Sequence, residues 1–192
     1  MRNIDFSGEV NYERICELLV SLRIGKSSHQ CVWIDSFGGT FDFFPRLAAS
    51  FETLSFITVG IKVYSAAVFL YMHGLERLAF PESKFLFHEA CIGVEGHGDV
   101  ALSDFGAFLD SSFDILDAHG IKYEEAERFY RKMEESYNLN VKFIAERSTM
   151  REDKLRQLVR EGTTLTAQEA LEYGIVHRII SRNEISVRGN HL

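Results

Sequence analysis

The sequence predicts an α/β fold of parallel strands joined by helical crossovers. Three observations predict it. Short β-branched and aromatic runs alternate with stretches of helical periodicity from Ile4 to His88. One such run, Phe56-Ile57-Thr58-Val59, leads through Gly60 and Ser65 into the uncharged stretch Ala66-Ala67-Val68-Phe69-Leu70-Tyr71-Met72. That stretch reads as a short helix buried all round, stopped by Gly74. Finally, Gly38-Gly39, Ser65 and His88 all fall at or just past strand ends, where parallel α/β folds gather their chemistry.

In chain order, Ile4 to Phe6 predicts a strand closed by Ser7-Gly8. Tyr12, Ile15, Cys16, Leu19 and Leu22 recur at helical spacing behind Asn11, a good N-cap. Gly25-Lys26-Ser27-Ser28 reads as a polar turn, since it lacks the upstream glycine of a phosphate-binding loop. Cys31-Val32-Trp33-Ile34 predicts a buried strand ending in Asp35-Ser36-Phe37-Gly38-Gly39-Thr40. Phe44, Leu47, Ala48, Phe51 and Leu54 mark the next helix, with Pro45 in its first turn. Phe85-Leu86-Phe87-His88 predicts a further strand. The glycine-rich residues 92–98 predict a mobile loop. Two amphipathic helical faces follow, one through Phe105, Phe108, Leu109, Ser112, Phe113 and Leu116, the other through Ala126, Phe129, Tyr130, Met133 and Tyr137, with His119-Gly120 as the break. These faces fit either the protein's own sheet or another subunit. Leu155, Leu158 and Val159 point inward from a short helix. Thr166 and Glu169 form a capping box flanked by Leu165 and Ala170, Gly174 ends that helix, and residues 175–180 predict a last strand.

Composition bounds the function. The chain of 192 residues is 46 % hydrophobic with 16 Phe, enough for one large core, and it carries no internal repeat or linker. One domain over 1–192 is expected, with a helical handle at about 99–147 and a polar tail from 181. A net charge of -7 without a basic run argues against nucleic acid and acidic membrane surfaces. Three cysteines (Cys16, Cys31, Cys91) fit free thiols in a reducing compartment, and none has metal-ligand spacing. With no uncharged run long enough to span a bilayer, the expectation is a soluble cytoplasmic protein with no metal and no cofactor. His73, at the end of the buried helix, is placed where a cation is favourable. Read by position alone, Ser65 is either an N-cap or a serine held beside the electropositive N–H groups of a helix start.

Five blocks resemble the proteolytic subunit of the Clp protease, a serine peptidase on the crotonase-like spiral of strands and helices. They are Ser7-Gly8-Glu9-Val10; Ile34-Asp35-Ser36-Phe37-Gly38-Gly39; residues 60–74 around Ser65; residues 78–88 ending on His88; and Leu165-Thr166-Ala167-Gln168-Glu169-Ala170-Leu171-Glu172-Tyr173-Gly174-Ile175-Val176. The resemblance spans residues 4 to about 100 and about 145 to 180. It implies Ser65 as nucleophile, His88 as general base, and an oxyanion hole of backbone N–H groups at Gly38-Gly39 and Ala66. It places Glu161 on the family's aspartate, the acid that orients the histidine; the other reading of Glu161 is a solvated helix-end residue. It also implies a homo-oligomeric ring that encloses a chamber and cleaves peptides or unfolded proteins. The AAA+ unfoldase that serves the family docks on axial loops before the first strand, and these have almost no counterpart here. Phe37 replaces a proline, Val63-Tyr64 and Ala66-Ala67 replace small residues and Met-Gly around the serine, and Glu89 replaces glutamine. These departures leave two alternatives: an inactive structural or binding subunit, and a crotonase-type protein acting on acyl-CoA through backbone N–H groups. Lys62 as a Ser-Lys base is a further variant, set against a solvated lysine.

Overall fold

The β-branched runs of the N-terminal half form strands, and each of the first three strands is followed by a helix. A computed structural model describes residues 2–25, 30–95, 97–118 and 120–184. The readings made for residues 26–28, the Phe113 side chain, His119 and the tail beyond Glu184 fall outside the described residues.

The order begins β1 (Arg2–Val10), α1 (Tyr12–Ile24), β2 (Gln30–Gly39), α2 (Phe44–Glu52), β3 (Phe56–Tyr64), α3 (Ala67–Met72) and β4 (Glu76–Leu86). Strands β1 to β4 lie side by side and parallel, as alternating strands and helices require. Asn11 caps α1 by accepting from Arg14 N–H at 3.0 Å, and Pro45 sits in the first turn of α2. Strand β4 starts well before the predicted residues 85–88. Its register against β3 shifts between Gly60/Ala79 and Lys62/Lys84, which lets Pro81 sit outside the ladder. Ser83 closes the irregularity: its hydroxyl accepts from Phe80 N–H at 2.9 Å and donates to the Gly60 carbonyl at 2.6 Å.

The segment expected to be a mobile loop is instead a hairpin of β5 (Cys91–Val94) and β6 (Gly98–Ala101), paired antiparallel. Gly98, at φ 82°, leads the chain out of the turn into β6. The first amphipathic face is split at Ser112 into α4 (Leu102–Ser111) and α5 (Phe113–Ala118). The second is one long helix, α6 (Tyr123–Glu146). Phe105, Leu109 and Leu116 form a small core of their own under the hairpin. The far end of α6 buries Asn140, Val141 and Ile144 against the main body, so this part of the helix covers its own chain. Then come α7 (Glu152–Arg160), β7 (Thr164–Thr166), α8 (Ala167–Glu172) and β8 (Arg178–Ile179). β7 joins β4 antiparallel and β8 joins it parallel, giving a mixed, mostly parallel sheet. The capping box at Thr166 and Glu169 forms with both of its reciprocal bonds. The last strand is only two residues long. Ile175 and Val176 are buried, but their N–H groups close the α8 terminus onto the Ala170 carbonyl instead of entering the sheet.

Two polar devices fasten these layers. Arg77 is 5 % exposed and donates to the carbonyls of Arg147, Ile175 and Gly174 at 2.7, 2.8 and 2.9 Å. It thereby ties β4 to the end of α6 and to the segment after α8; each such charged hydrogen bond contributes about 1.5–3 kcal/mol. Thr58 donates to the Tyr71 carbonyl at 2.9 Å, and the Tyr71 hydroxyl donates to the Leu78 carbonyl at 3.0 Å. These bonds pin α3 flat on β3 and β4. Burial pushes the Tyr71 hydroxyl well above its ordinary pKa, so it stays a donor.

His73 corrects the sequence reading. Its ring stacks on Phe51 (centroids 4.2 Å apart) and lies 4.4 Å from Phe143. Burial, with the Arg147 charge added, lowers its pKa to about 3. The residue closing α3 is a neutral aromatic, not a cation.

Candidate active site

The geometry starts at Ser65. Among the described residues it alone, apart from glycines, has a positive φ, 54°. That is the left-handed region, where an L-residue is strained by its own Cβ. Ser65 does not cap α3: the N-cap is Ala66, with no side-chain cap bond. The N-cap reading is therefore overturned. Backbone bonds hold the turn on both sides. Ser65 N–H donates to the Leu86 carbonyl at 2.9 Å, and Val68 N–H donates to the Ser65 carbonyl at 2.9 Å. The hydroxyl itself has no hydrogen-bond partner among the described residues.

Behind this turn the end of β2 approaches closely. Gly38 has φ 96°, and a Cβ built on it would lie 2.6 Å from Ser65 Cβ and 2.7 Å from the Tyr64 carbonyl oxygen. Only glycine fits there. Gly38 N–H donates to Ser36 Oγ at 3.1 Å, and Ser36 Oγ donates to the Gly8 carbonyl at 2.5 Å. Gly39, at φ 146°, packs against the Val10 carbonyl.

Ser65, Ala66, Gly39 and His88 line one cavity of about 320 Å³. The structure thus brings together the predicted nucleophile, the predicted base and two of the three predicted backbone positions. Gly38 stands outside the wall, its N–H already engaged. Phe37, 69 % exposed, is at the mouth, edge-on to Tyr64 with ring centroids 5.8 Å apart. Lys62 Nζ lies over the Phe37 ring at 5.5 Å, on the exposed face, which matches the solvated reading of that lysine. Deeper in, the cavity is walled by Phe41, Val68, Phe69 and Phe87, and by Tyr137, Ile144, Leu155 and Val159 from α6 and α7. The contribution of α6 and α7 was not foreseen: a sequence period shows which face of a helix is buried, not against which strand.

His88 lies two residues past β4 and is exposed. Its Nδ1 is 2.8 Å from the Glu89 carbonyl oxygen. A carbonyl only accepts, so Nδ1 carries the proton of that bond, and Nε2 has no hydrogen-bond partner among the described residues. The Glu89 carboxylate is turned elsewhere, accepting from Ser103 N–H at the start of α4 at 2.8 Å. Glu161 is exposed at the C-cap of α7, and its Oε1 accepts from Gln157 Nε2 at 2.7 Å. It does not line the cavity. The chain two residues after it does meet the residue before His88: the Thr163 carbonyl accepts Phe87 N–H at 2.9 Å. Cys91 and Asp99, from the hairpin, also line the cavity. The Cys91 thiol is raised above its usual pKa by burial first, then by Asp99 and Glu89, so it is a poor nucleophile.

Fold and site together define a mixed α/β protein with a serine on a strained strand-to-helix turn facing a histidine-bearing apolar cavity. Curated proteins with similar sequences are proteolytic subunits of ATP-dependent Clp proteases. Subunit 2 of Leifsonia xyli subsp. xyli is 25 % identical over 158 residues, covering 78 % of this chain and 59 % of that protein. Subunit 4 of Streptomyces avermitilis is 26 % identical over 163 residues, covering 81 % and 60 %. Subunit 2 of Streptomyces coelicolor is 25 % identical over 162 residues, covering 80 % and 62 %. The matched region spans about three-fifths of each relative's length. No family model matches the chain. Among the described residues, no helix is long and apolar enough to cross a membrane.

Proposed function

We propose that the chain is a serine peptidase of the Clp proteolytic-subunit type, on that family's crotonase-like spiral. The observation that carries this reading is Ser65: a strained, rigidly held serine with an unengaged hydroxyl, sharing a cavity with a histidine whose Nε2 is available. In this mechanism His88 Nε2 takes the Ser65 proton as Oγ attacks a peptide carbonyl, then returns it to the leaving amine. The N–H groups of Gly39 and Ala66, both at the cavity wall, receive the oxyanion. Glu161 is the acid of the triad. It reaches His88 by leaving Gln157, while the imidazole exchanges the Glu89 carbonyl for the carboxylate. The apolar walls receive a substrate side chain, and Phe37 and Tyr64 flank the entrance. A homo-oligomeric ring fits the half-exposed apolar residues of the handle and α6, among them Ile121, Phe129 and Leu139.

A second reading, a non-catalytic subunit of the same fold, is favoured by the engagement of Glu161 with Gln157. Intact-mass measurement after incubation with a fluorophosphonate separates the two. A single adduct on the wild-type chain and none on Ser65→Ala is expected. A folded wild type that takes no adduct refutes the peptidase reading.

A further inference from the structure

A second recess lies away from the Ser65 cavity and shares no lining residue with it. It has a volume of about 190 Å³ and sits between α2, the end of α3 and α6. Phe44 and Phe143 wall it, Ala48 forms part of its α2 side, and the half-exposed Leu139 stands at its opening. Two buried polar side chains also line it, and both hold unused hydrogen-bonding capacity. His73 is 9 % exposed, and neither ring nitrogen has a hydrogen-bond partner among the described residues. Asn140 is 3 % exposed; its Nδ2 donates to the Phe41 carbonyl at 3.3 Å, and its Oδ1 has no partner among the described residues.

The His73 nitrogens and Asn140 Oδ1 keep accessible surface, unlike the fully buried and unpartnered Gln30 Oε1 and Trp33 Nε1, so a guest in the recess can reach them. The recess therefore offers a ligand an imidazole and an amide oxygen set in aromatic walls. Its volume exceeds the roughly 150 Å³ that suffices for a benzene-sized guest in a protein interior. The aromatic surroundings penalise a charged guest by desolvation. They hold the imidazole neutral, with a pKa of about 3, so it can pair with an uncharged hydroxyl.

We infer that this recess binds a small neutral aromatic molecule carrying one hydroxyl or N–H group, of the phenol class. The ring packs against Phe44 and Phe143 beside the edge of the His73 imidazole, whose faces Phe51 and Phe143 cover, and the polar hydrogen is received by a His73 ring nitrogen or by Asn140 Oδ1. The inference does not rest on the peptidase reading.

Phenol is the probe, titrated calorimetrically into the full chain, with benzene as the apolar control. Saturable binding at one phenol per chain is expected. Ala48→Leu fills the recess from a half-buried helix position and should weaken binding at least about tenfold. His73→Phe should weaken phenol about fivefold, the equivalent of one net hydrogen bond, and leave benzene unchanged. A folded wild type that gives no saturable phenol binding overturns the inference, as does binding untouched by Ala48→Leu. Equal affinity for phenol and benzene, or equal losses of both in His73→Phe, overturns the polar contact. If His73→Phe fails to fold, the Ala48→Leu arm and the benzene comparison still decide.

Discussion

Replacing Ser65 by glycine should make the protein more stable than replacing it by alanine. Both substitutions remove the hydroxyl, which has no hydrogen-bond partner among the described residues, so the comparison isolates the backbone. Alanine keeps a Cβ at φ 54°, where an L-residue loses about 1–2 kcal/mol relative to the right-handed region. Glycine escapes that strain but gives up about 0.5–1 kcal/mol through the extra freedom of its unfolded chain. The difference favours Ser65→Gly by about 1 kcal/mol, or about 2–4 °C in Tm for a chain of this size. Packing does not offset it. The side chain is half-buried, and on its Gly38 side the neighbour is backbone, so deleting one carbon opens no large void. Calorimetry on the two variants, checked by urea unfolding at constant m-value, measures the difference. If Ser65→Ala proved as stable as Ser65→Gly, the turn would hold no strain. Ser65 would then have no strained mounting to aim it at a substrate.

Two further outcomes follow from the same geometry. Gly38→Ala should abolish fluorophosphonate labelling, because its Cβ would lie 2.6 Å from Ser65 Cβ and 2.7 Å from the Tyr64 carbonyl, and φ 96° is strained for alanine as well; labelling at the wild-type rate would refute the close approach. The second concerns pH. The folded pKa of His73, about 3, lies below its unfolded value, so the unfolded chain binds the proton first and stability is lost as pH falls from about 6.5 toward 3. Between pH 8 and pH 5 this loss is about 2 kcal/mol, and His73→Phe should remove it from the denaturation profile; an unchanged profile would show that the ring is not buried neutral.

The parallel core was legible because its signal is local. β-branched runs such as Cys31-Val32-Trp33-Ile34 and Phe56-Ile57-Thr58-Val59 can hardly be anything but buried strands, and Asn11, Pro45 and Thr166 mark helix starts by their own chemistry. The first half of β4 was hidden, because Glu76, Arg77 and Pro81 break the apolar pattern. Each of those breaks is answered from a distance: Glu76 by Arg178, Arg77 by three carbonyls of the C-terminal segments, and Pro81 by a register shift that Ser83 stabilises. The hairpin around residues 92–98 was misread because glycines mark a tight turn and a loose loop alike. At the site, Ser65 and His88 could be paired from their places at strand ends. The left-handed backbone at Ser65, the cavity walls on α6 and α7, and the neutral state of His73 could not be read, since each depends on contacts between segments far apart in sequence.

The strain at Ser65 also bears on whether the site is used. The turn and its surroundings are held by groups other than the Ser65 side chain: the Leu86 carbonyl holds Ser65 N–H, the Ser36 hydroxyl holds Gly38, and the Thr58 and Tyr71 hydroxyls hold the helix that follows. None of these bonds needs the serine side chain. A glycine would keep all of them and relieve the turn, so a purely structural subunit gains nothing from serine at this position. In a nucleophile the same strain has a return, because it mounts the serine on the wall of the cavity that His88 shares. The acid is the opposite case. Glu161 sits at an exposed helix end beside Gly162, at φ 62°, and its carboxylate is held by one surface glutamine. An exposed contact of that kind is worth no more than about 1 kcal/mol, comparable to what binding a substrate or a neighbouring subunit readily supplies. On the proposed peptidase reading the serine is built in by the fold, whereas Glu161 still has to be brought to His88, and assembly or substrate is the natural agent of that step.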